Sequence, residues 1–160
     1  MPIDGIPWTW RWLETSDLQP LLPFVMAADP SGAEALNWPR DGARWLSEAS
    51  CARGLVGVQC LAGLTLALFF YALADEAHGT RRLIVERLRW LELARPHRSL
   101  DAVLTILVDS ARRLGCSAVQ IKAQAATERT AREALMARAE WAGFTQDGTG
   151  WHQTLQPGAA

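Results

Sequence analysis

Seven apolar residues, Leu100, Val103, Leu104, Leu107, Val108, Ala111 and Leu114, recur at the three-and-four spacing of one helical face. A face that wide has to be buried, so the chain must supply a layer to set against it. Ser99 is placed to cap the first turn with its side-chain oxygen, and Gly115 stands where a left-handed C-terminal cap belongs. Asp101 in the first turn and Arg112 and Arg113 in the last suit the helix dipole. Before the helix, residues 82–94 (RLIVERLRWLELA) read as a strand, and after it residues 116–123 (CSAVQIKA) read as another. Arg82 to Ala123 is thus a strand, a basic turn, a helix and a strand. The turn holds Arg95, His97 and Arg98 in front of the free N–H groups of a helix start, which makes an anion-binding shape.

The layer comes from the residues just upstream. Leu55 to Ala74 is a run of twenty residues without a formal charge, long enough to be weighed as a membrane helix. Gln59 within it, with Gly57 and Gly63, favours a hairpin of two strands, Leu55–Ala62 and Leu64–Leu73, turning at Ala62-Gly63. Upstream, Trp8, Trp10 and Trp12 alternate with polar residues as in a first strand with its tryptophans on one face. Thr15 to Ala28, a restart near Ser31 and Glu34, and Ala43 to Ala49 read as short helices broken by proline and glycine. Downstream, Thr130 and Glu133 have capping-box spacing for a helix to about Ala142, with Ala131, Leu135, Ala139 and Ala142 on its inner face. Gly143 ends it, and Asp147-Gly148 marks a hairpin between a strand opened by Phe144 and another from Trp151 to Leu155. Residues 1–156 read as one domain, and residues 157–160 as a loose tail.

Composition narrows the function. A net charge of −1 gives no support for nucleic acid as a main partner. Lys122 is the only lysine among sixteen basic residues. Three cysteines, Cys51, Cys60 and Cys116, are odd in number and include no CxxC pair, which points to reduced thiols in a cytoplasmic setting rather than a disulfide scaffold or zinc site. His78 and His152 have no partner spacing that indicates a metal. Of the eight tryptophans, Trp8, Trp10 and Trp12 are expected to pack on the sheet, and Trp90, Trp141 and Trp151 to fill the core around the hairpins.

The segments Leu93-Ala-Arg-Pro-His-Arg98, Ala111-Arg-Arg-Leu-Gly115 and Ala139-Glu-Trp-Ala-Gly-Phe144, in this order of elements, resemble the GCN5-related N-acetyltransferase (GNAT) superfamily over nearly the whole chain. The resemblance implies an α/β (α+β) fold: a mixed, twisted, mostly antiparallel sheet of about seven strands with helices on both faces. It implies that acetyl-coenzyme A enters between the fourth and fifth strands, its pyrophosphate resting on Leu93, Arg95, His97, Arg98, Ser99, Leu100, Asp101, Ala102 and Val103. Here the chain departs from the family. Arg98 matches, but Asp101 and Val103 stand where small residues let backbone N–H groups reach phosphate. A carboxylate at Asp101 pointing inward would repel a pyrophosphate.

For catalysis the resemblance seeks an acid as a Tyr near the end of the last helix, where this chain has Ala139. The base candidates are Glu86 and Glu92 on the fourth strand, which share a face if the strand is unbulged. The competing assignment pairs them with Arg87 or Arg89 as exposed strand charges. Cys116, just after a helix, reads as a small buried residue rather than a nucleophile. Trp38, Trp45 and Tyr71 are the candidates for an acceptor pocket. The function implied is transfer of an acetyl group from acetyl-coenzyme A to a small-molecule or peptide amine, with no metal, nucleic acid or membrane involved and homodimerisation left open. The alternative is a non-catalytic binding or dimerisation module on the same fold.

Overall fold

A computed structural model describes residues 2–3, 6–14, 17, 54–60, 65–90, 98–126 and 129–156. Eight strands and two α-helices lie among them: β1 (Pro2–Ile3), β2 (Ile6–Leu13), β3 (Gly54–Cys60), β4 (Thr65–Asp75), β5 (Arg81–Trp90), α1 (Arg98–Arg113), β6 (Ala118–Lys122), α2 (Arg129–Trp141), β7 (Thr145–Asp147) and β8 (Gly150–Thr154). They form one sheet in the order β1-β2-β3-β4-β5-β6-β8-β7. Only β5 and β6 run parallel; all other neighbours are antiparallel. Apart from the two-residue β1, this is the predicted mixed sheet of seven strands.

The uncharged run forms β3 and β4, paired antiparallel from Gly54↔Tyr71 to Gln59↔Thr65. No helix of the described residues is long and apolar enough to cross a membrane. The Ala62-Gly63 turn, the short helices between Thr15 and Ala49, and the tail at 157–160 lie outside the described residues.

Alternation decides what each face of the sheet carries. Leu83 and Val85 of β5 and Val119 and Ile121 of β6 point to one side, and all four are fully buried. There they meet Leu100, Val103, Leu104, Leu107 and Ala111 of α1, Leu135 and Ala139 of α2, and Phe144 and Trp151. Each such Val, Leu, Ile or Phe side chain, fully removed from water, contributes about 1.5–3 kcal/mol. Both described helices therefore lie on one face; the helices expected on the other fall outside the described residues. Leu68 and Phe70 point to that other face and are also buried.

Helix α1 closes as its sequence predicts. Gly115 has φ +71°, Gly115 N–H donates to Arg112 at 3.0 Å and Cys116 N–H reaches Ala111 O at 2.9 Å. Its start differs. The helix already includes Arg98, so Ser99 sits inside the first turn and is not its cap; its Oγ is buried with no hydrogen-bond partner among the described residues. Likewise α2 begins at Arg129, which places Thr130 inside the helix, and Glu133 bonds Arg129 Nε at 2.9 Å instead of closing a capping box. Trp141 corrects another expectation: at the end of α2, beyond the core, it is 81% exposed, with the Arg138 guanidinium 5.2 Å from its ring centroid. Ala142, expected on the inner face of α2, is exposed as well.

Candidate functional site

The site is built where the two parallel strands part. Pairing of β5 with β6 covers Arg82↔Ala118 to Val85↔Ile121 and stops there, although β5 continues to Trp90. Ligands of open α/β sheets bind beyond the carboxyl ends of such strands. A bulge marks the same place: Phe70 of β4 faces Arg87 and Tyr71 faces Val85, leaving Glu86 as the extra residue. Beyond the bulge, Leu88 N–H is taken up by Ala125 O at 3.0 Å, and Ala125 and Ala126 are fully buried.

The bulge overturns the parity argument for Glu86 and Glu92, which required an unbulged strand. Leu83 and Val85 face the core before it and Leu88 after it, so odd and even positions exchange faces. Glu86 faces away from the helices and lies 2.6 Å from Lys122 Nζ, each side chain about one-third exposed. Its partner is thus the lone lysine, neither Arg87 nor Arg89. Arg87 Nη1 instead donates to Gln124 O at 3.4 Å. Glu92, Leu93, Arg95, His97, Trp38 and Trp45 lie outside the described residues.

At the helix start, the structure sorts the proposed phosphate loop. Leu100, Ala102 and Val103 have their side chains fully in the core, so only their backbone can face a ligand. Asp101 turns toward α2, where Arg138 grips it with both arms: Nε to Oδ1 and Nη2 to Oδ2, each at 2.8 Å. The carboxylate holds the Arg138 guanidinium above its ordinary range. The negative charge feared at this turn is matched within the protein and aimed at α2.

Tyr71 packs inward. It is 7% exposed, its ring lies across Gly54 of β3, and a Cβ at Gly54 would stand 2.3 Å from the hydroxyl oxygen. Trp12 lies 5.6 Å from it between ring centroids, and Trp10 stacks edge-on to Trp12 at 5.1 Å. Cys116 is buried, and burial pushes its thiol up, which suits packing and not nucleophilic attack.

A second polar group on the Glu86 side escaped the sequence reading. The β7–β8 turn holds Asp147, whose Oδ1 accepts from Thr149 N–H and Thr149 Oγ1–H, both at 2.7 Å, and whose Oδ2 lies 2.7 Å from His152 Nε2. The two Thr149 bonds, then His152, hold the Asp147 carboxyl down at about 2. Gln120 Nε2 donates to Thr149 Oγ1 at 3.4 Å, Arg82 Nη1 donates to Gln120 Oε1 at 3.3 Å, and Arg82 also pairs with Glu76. The sequence signal was present: an Asp-Gly turn places Asp147 and His152, five residues apart, across one hairpin. Among the described residues, no group of three or more His, Cys, Asp or Glu side chains could hold a metal ion.

No protein-family model and no curated protein matches the sequence. Solved structures do match the fold. A GNAT-family acetyltransferase from Listeria monocytogenes superposes with a TM-score of 0.66 at 9% identity, covering 97% of this chain and 99% of that one. A transcriptional regulator from Bacillus halodurans gives 0.62 at 18% identity, over 94% of this chain and 99% of the other. Glucosamine-6-phosphate N-acetyltransferase from Arabidopsis thaliana gives 0.57 at 13% identity, over 94% and 97%. The parting of β5 from β6, the helix start that follows and the antiparallel strands on either side are together the fold of the GCN5-related N-acetyltransferases.

Proposed function

We propose that this chain transfers an acetyl group from acetyl-coenzyme A to a small-molecule or peptide amine by direct attack. The observation that carries the reading is the parting of β5 and β6 after Val85 and Ile121, in a sheet whose next element is a helix with its N-terminus at the same end. Two details support it. Asp101 is matched by Arg138, which removes the electrostatic objection to a pyrophosphate at α1. Ser99 Oγ is buried in the first turn with no partner among the described residues, a polar atom left over beside free helix N–H groups. The phosphates would lie against the backbone of residues 98–103, with Arg98 as the matching cation of the family's loop. Trp38, Trp45 and Tyr71 remain the proposed border of the acceptor pocket, Tyr71 acting from within the core.

One observation favours the alternative, a non-catalytic binding or dimerisation module. The Leu88 N–H, an amide that could polarise a thioester carbonyl in the gap, is already bonded to Ala125 O. Calorimetric titration with acetyl-coenzyme A separates the two readings. Affinity of about 1–100 μM, weakened about tenfold in Arg98→Ala, is the result expected of the enzyme. No heat at about 1 mM ligand would turn the assignment to the module.

A further inference from the structure

The acyl-transfer reading needs a group that takes a proton from the acceptor, and Glu86 is poorly free to do it, its charge being matched by Lys122 at 2.6 Å. Resting on that reading, the geometry points to His152, backed by Asp147, as the proton acceptor for the incoming amine.

Three observations carry this. First, the hydrogen bonds select a tautomer. The hydroxyl proton of Thr149 is committed to Asp147 Oδ1 at 2.7 Å, so the short Nε2 contacts to Asp147 Oδ2 (2.7 Å) and Thr149 Oγ1 (3.1 Å) need the proton on Nε2. In the neutral ring this leaves a lone pair on Nδ1, which has no hydrogen-bond partner among the described residues, on a ring one-quarter exposed. A carboxylate behind one nitrogen and a free lone pair on the other is the arrangement of a base held in one orientation.

Second, the pair is fixed in place. Gly150 has φ +144°, and a Cβ there would stand 2.0 Å from Ile121 O, so the turn is pressed onto β6 backbone to backbone. Ala123 N–H donates to Thr149 O at 3.0 Å, and Gln120 holds Thr149 from the side.

Third, His152 lies on the face of the sheet that carries Glu86 and Lys122. It pairs directly with Gln120, one residue before the last β5–β6 pair Val85↔Ile121, on the strand next to β6. The charged groups packed around it are Asp147 from β7, Lys122 with Glu86, and Arg82 with Glu76; the last two pairs are each internally matched.

The step balances as follows. The ammonium of the acceptor gives one proton to Nδ1, and its freed lone pair forms the C–N bond to the thioester carbon. The C–S bond breaks with its electron pair leaving on sulfur. The thiolate takes up a second proton from the new amide nitrogen, and the imidazolium returns the first to water. Asp147 touches no reacting atom; it is a positioning residue that keeps the proton on Nε2.

The test is acetyl transfer to a panel of primary amines (an amino sugar, an amino acid, a polyamine and a peptide with a free N-terminus), followed by thiol release. His152→Gln should lower kcat about 100-fold at about pH 7 with acetyl-coenzyme A affinity unchanged, and the deficit should shrink toward about pH 9, where free amine no longer needs a base. Asp147→Asn should fall in the same direction by about tenfold, and added imidazole should restore part of the rate to His152→Ala. Transfer in His152→Gln within about threefold of wild type at every pH overturns the assignment and leaves acyl transfer standing. Wild type that binds no acetyl-coenzyme A, or acetylates no amine of the panel, overturns acyl transfer and this assignment together.

Discussion

The two faces of β5, β6 and β8 come from the same residues by alternation, yet they hold together by different physics. On the helix side, Leu83, Val85, Val119 and Ile121 are fully buried in one apolar cluster with residues of both helices. On the other side, Arg82, Glu86, Gln120, Lys122 and His152 are half-buried and joined by hydrogen bonds and ion pairs. The first face stabilises through area removed from water, which is large and tolerant of geometry. The second contributes little net energy per contact and fixes directions. Apolar packing dominates one face of these strands, and directional polar contacts the other.

That division predicts a ranking of effects. The largest loss should come from the apolar face: Leu107→Ala removes a fully buried side chain of α1 and should cost about 3 kcal/mol in denaturant unfolding. A loss under about 1 kcal/mol would mean that α1 does not carry the fold. Next is Gly150→Ala, which forces a Cβ onto Ile121 O at a φ that side chains rarely adopt. It should cost about 2 kcal/mol and disturb the polar face through the hairpin. The Asp101–Arg138 pair, tying the two helices at a partly exposed position, should show a coupling of about 1 kcal/mol in a double-mutant cycle.

The smallest effect belongs to Asp147. Its folded carboxyl is held down at about 2 from an ordinary value of 3.8. A depressed carboxylate contributes stability that is fully present above its unfolded value and is lost as pH falls through the folded one. Thermal unfolding between about pH 4 and about pH 2 should therefore fall more steeply in wild type than in Asp147→Asn. Equal slopes would show that the turn hydrogen bonds do not persist in solution.

Much of the fold was legible because it rests on periodicity. The face from Leu100 to Leu114, the twenty-residue uncharged run and the Asp147-Gly148 turn each gave an element where the structure has one. The site was less legible for a specific reason: its contacts depend on offsets that alternation does not encode. A single extra residue at Glu86 exchanges the faces of the described β5 residues after it, so the condition of an unbulged strand on which parity rested is not met. Asp101 and Arg138 are thirty-seven residues apart and meet only because α1 and α2 share a face. Ser99 and Thr130 looked like caps because residue type sets capping preference, while the helices start one residue earlier, at Arg98 and Arg129.

The bond from Leu88 to Ala125 has a consequence for any affinity measured on this protein. A hydrogen bond of this kind is worth about 1 kcal/mol net, and the burial of two alanines brings the contact to roughly 1–3 kcal/mol. A thioester that needs the Leu88 N–H must first release it from Ala125, so that cost is subtracted from its intrinsic affinity. Replacing the Ala125 segment with one that cannot reach Leu88 would then tighten the ligand without adding a single contact to it.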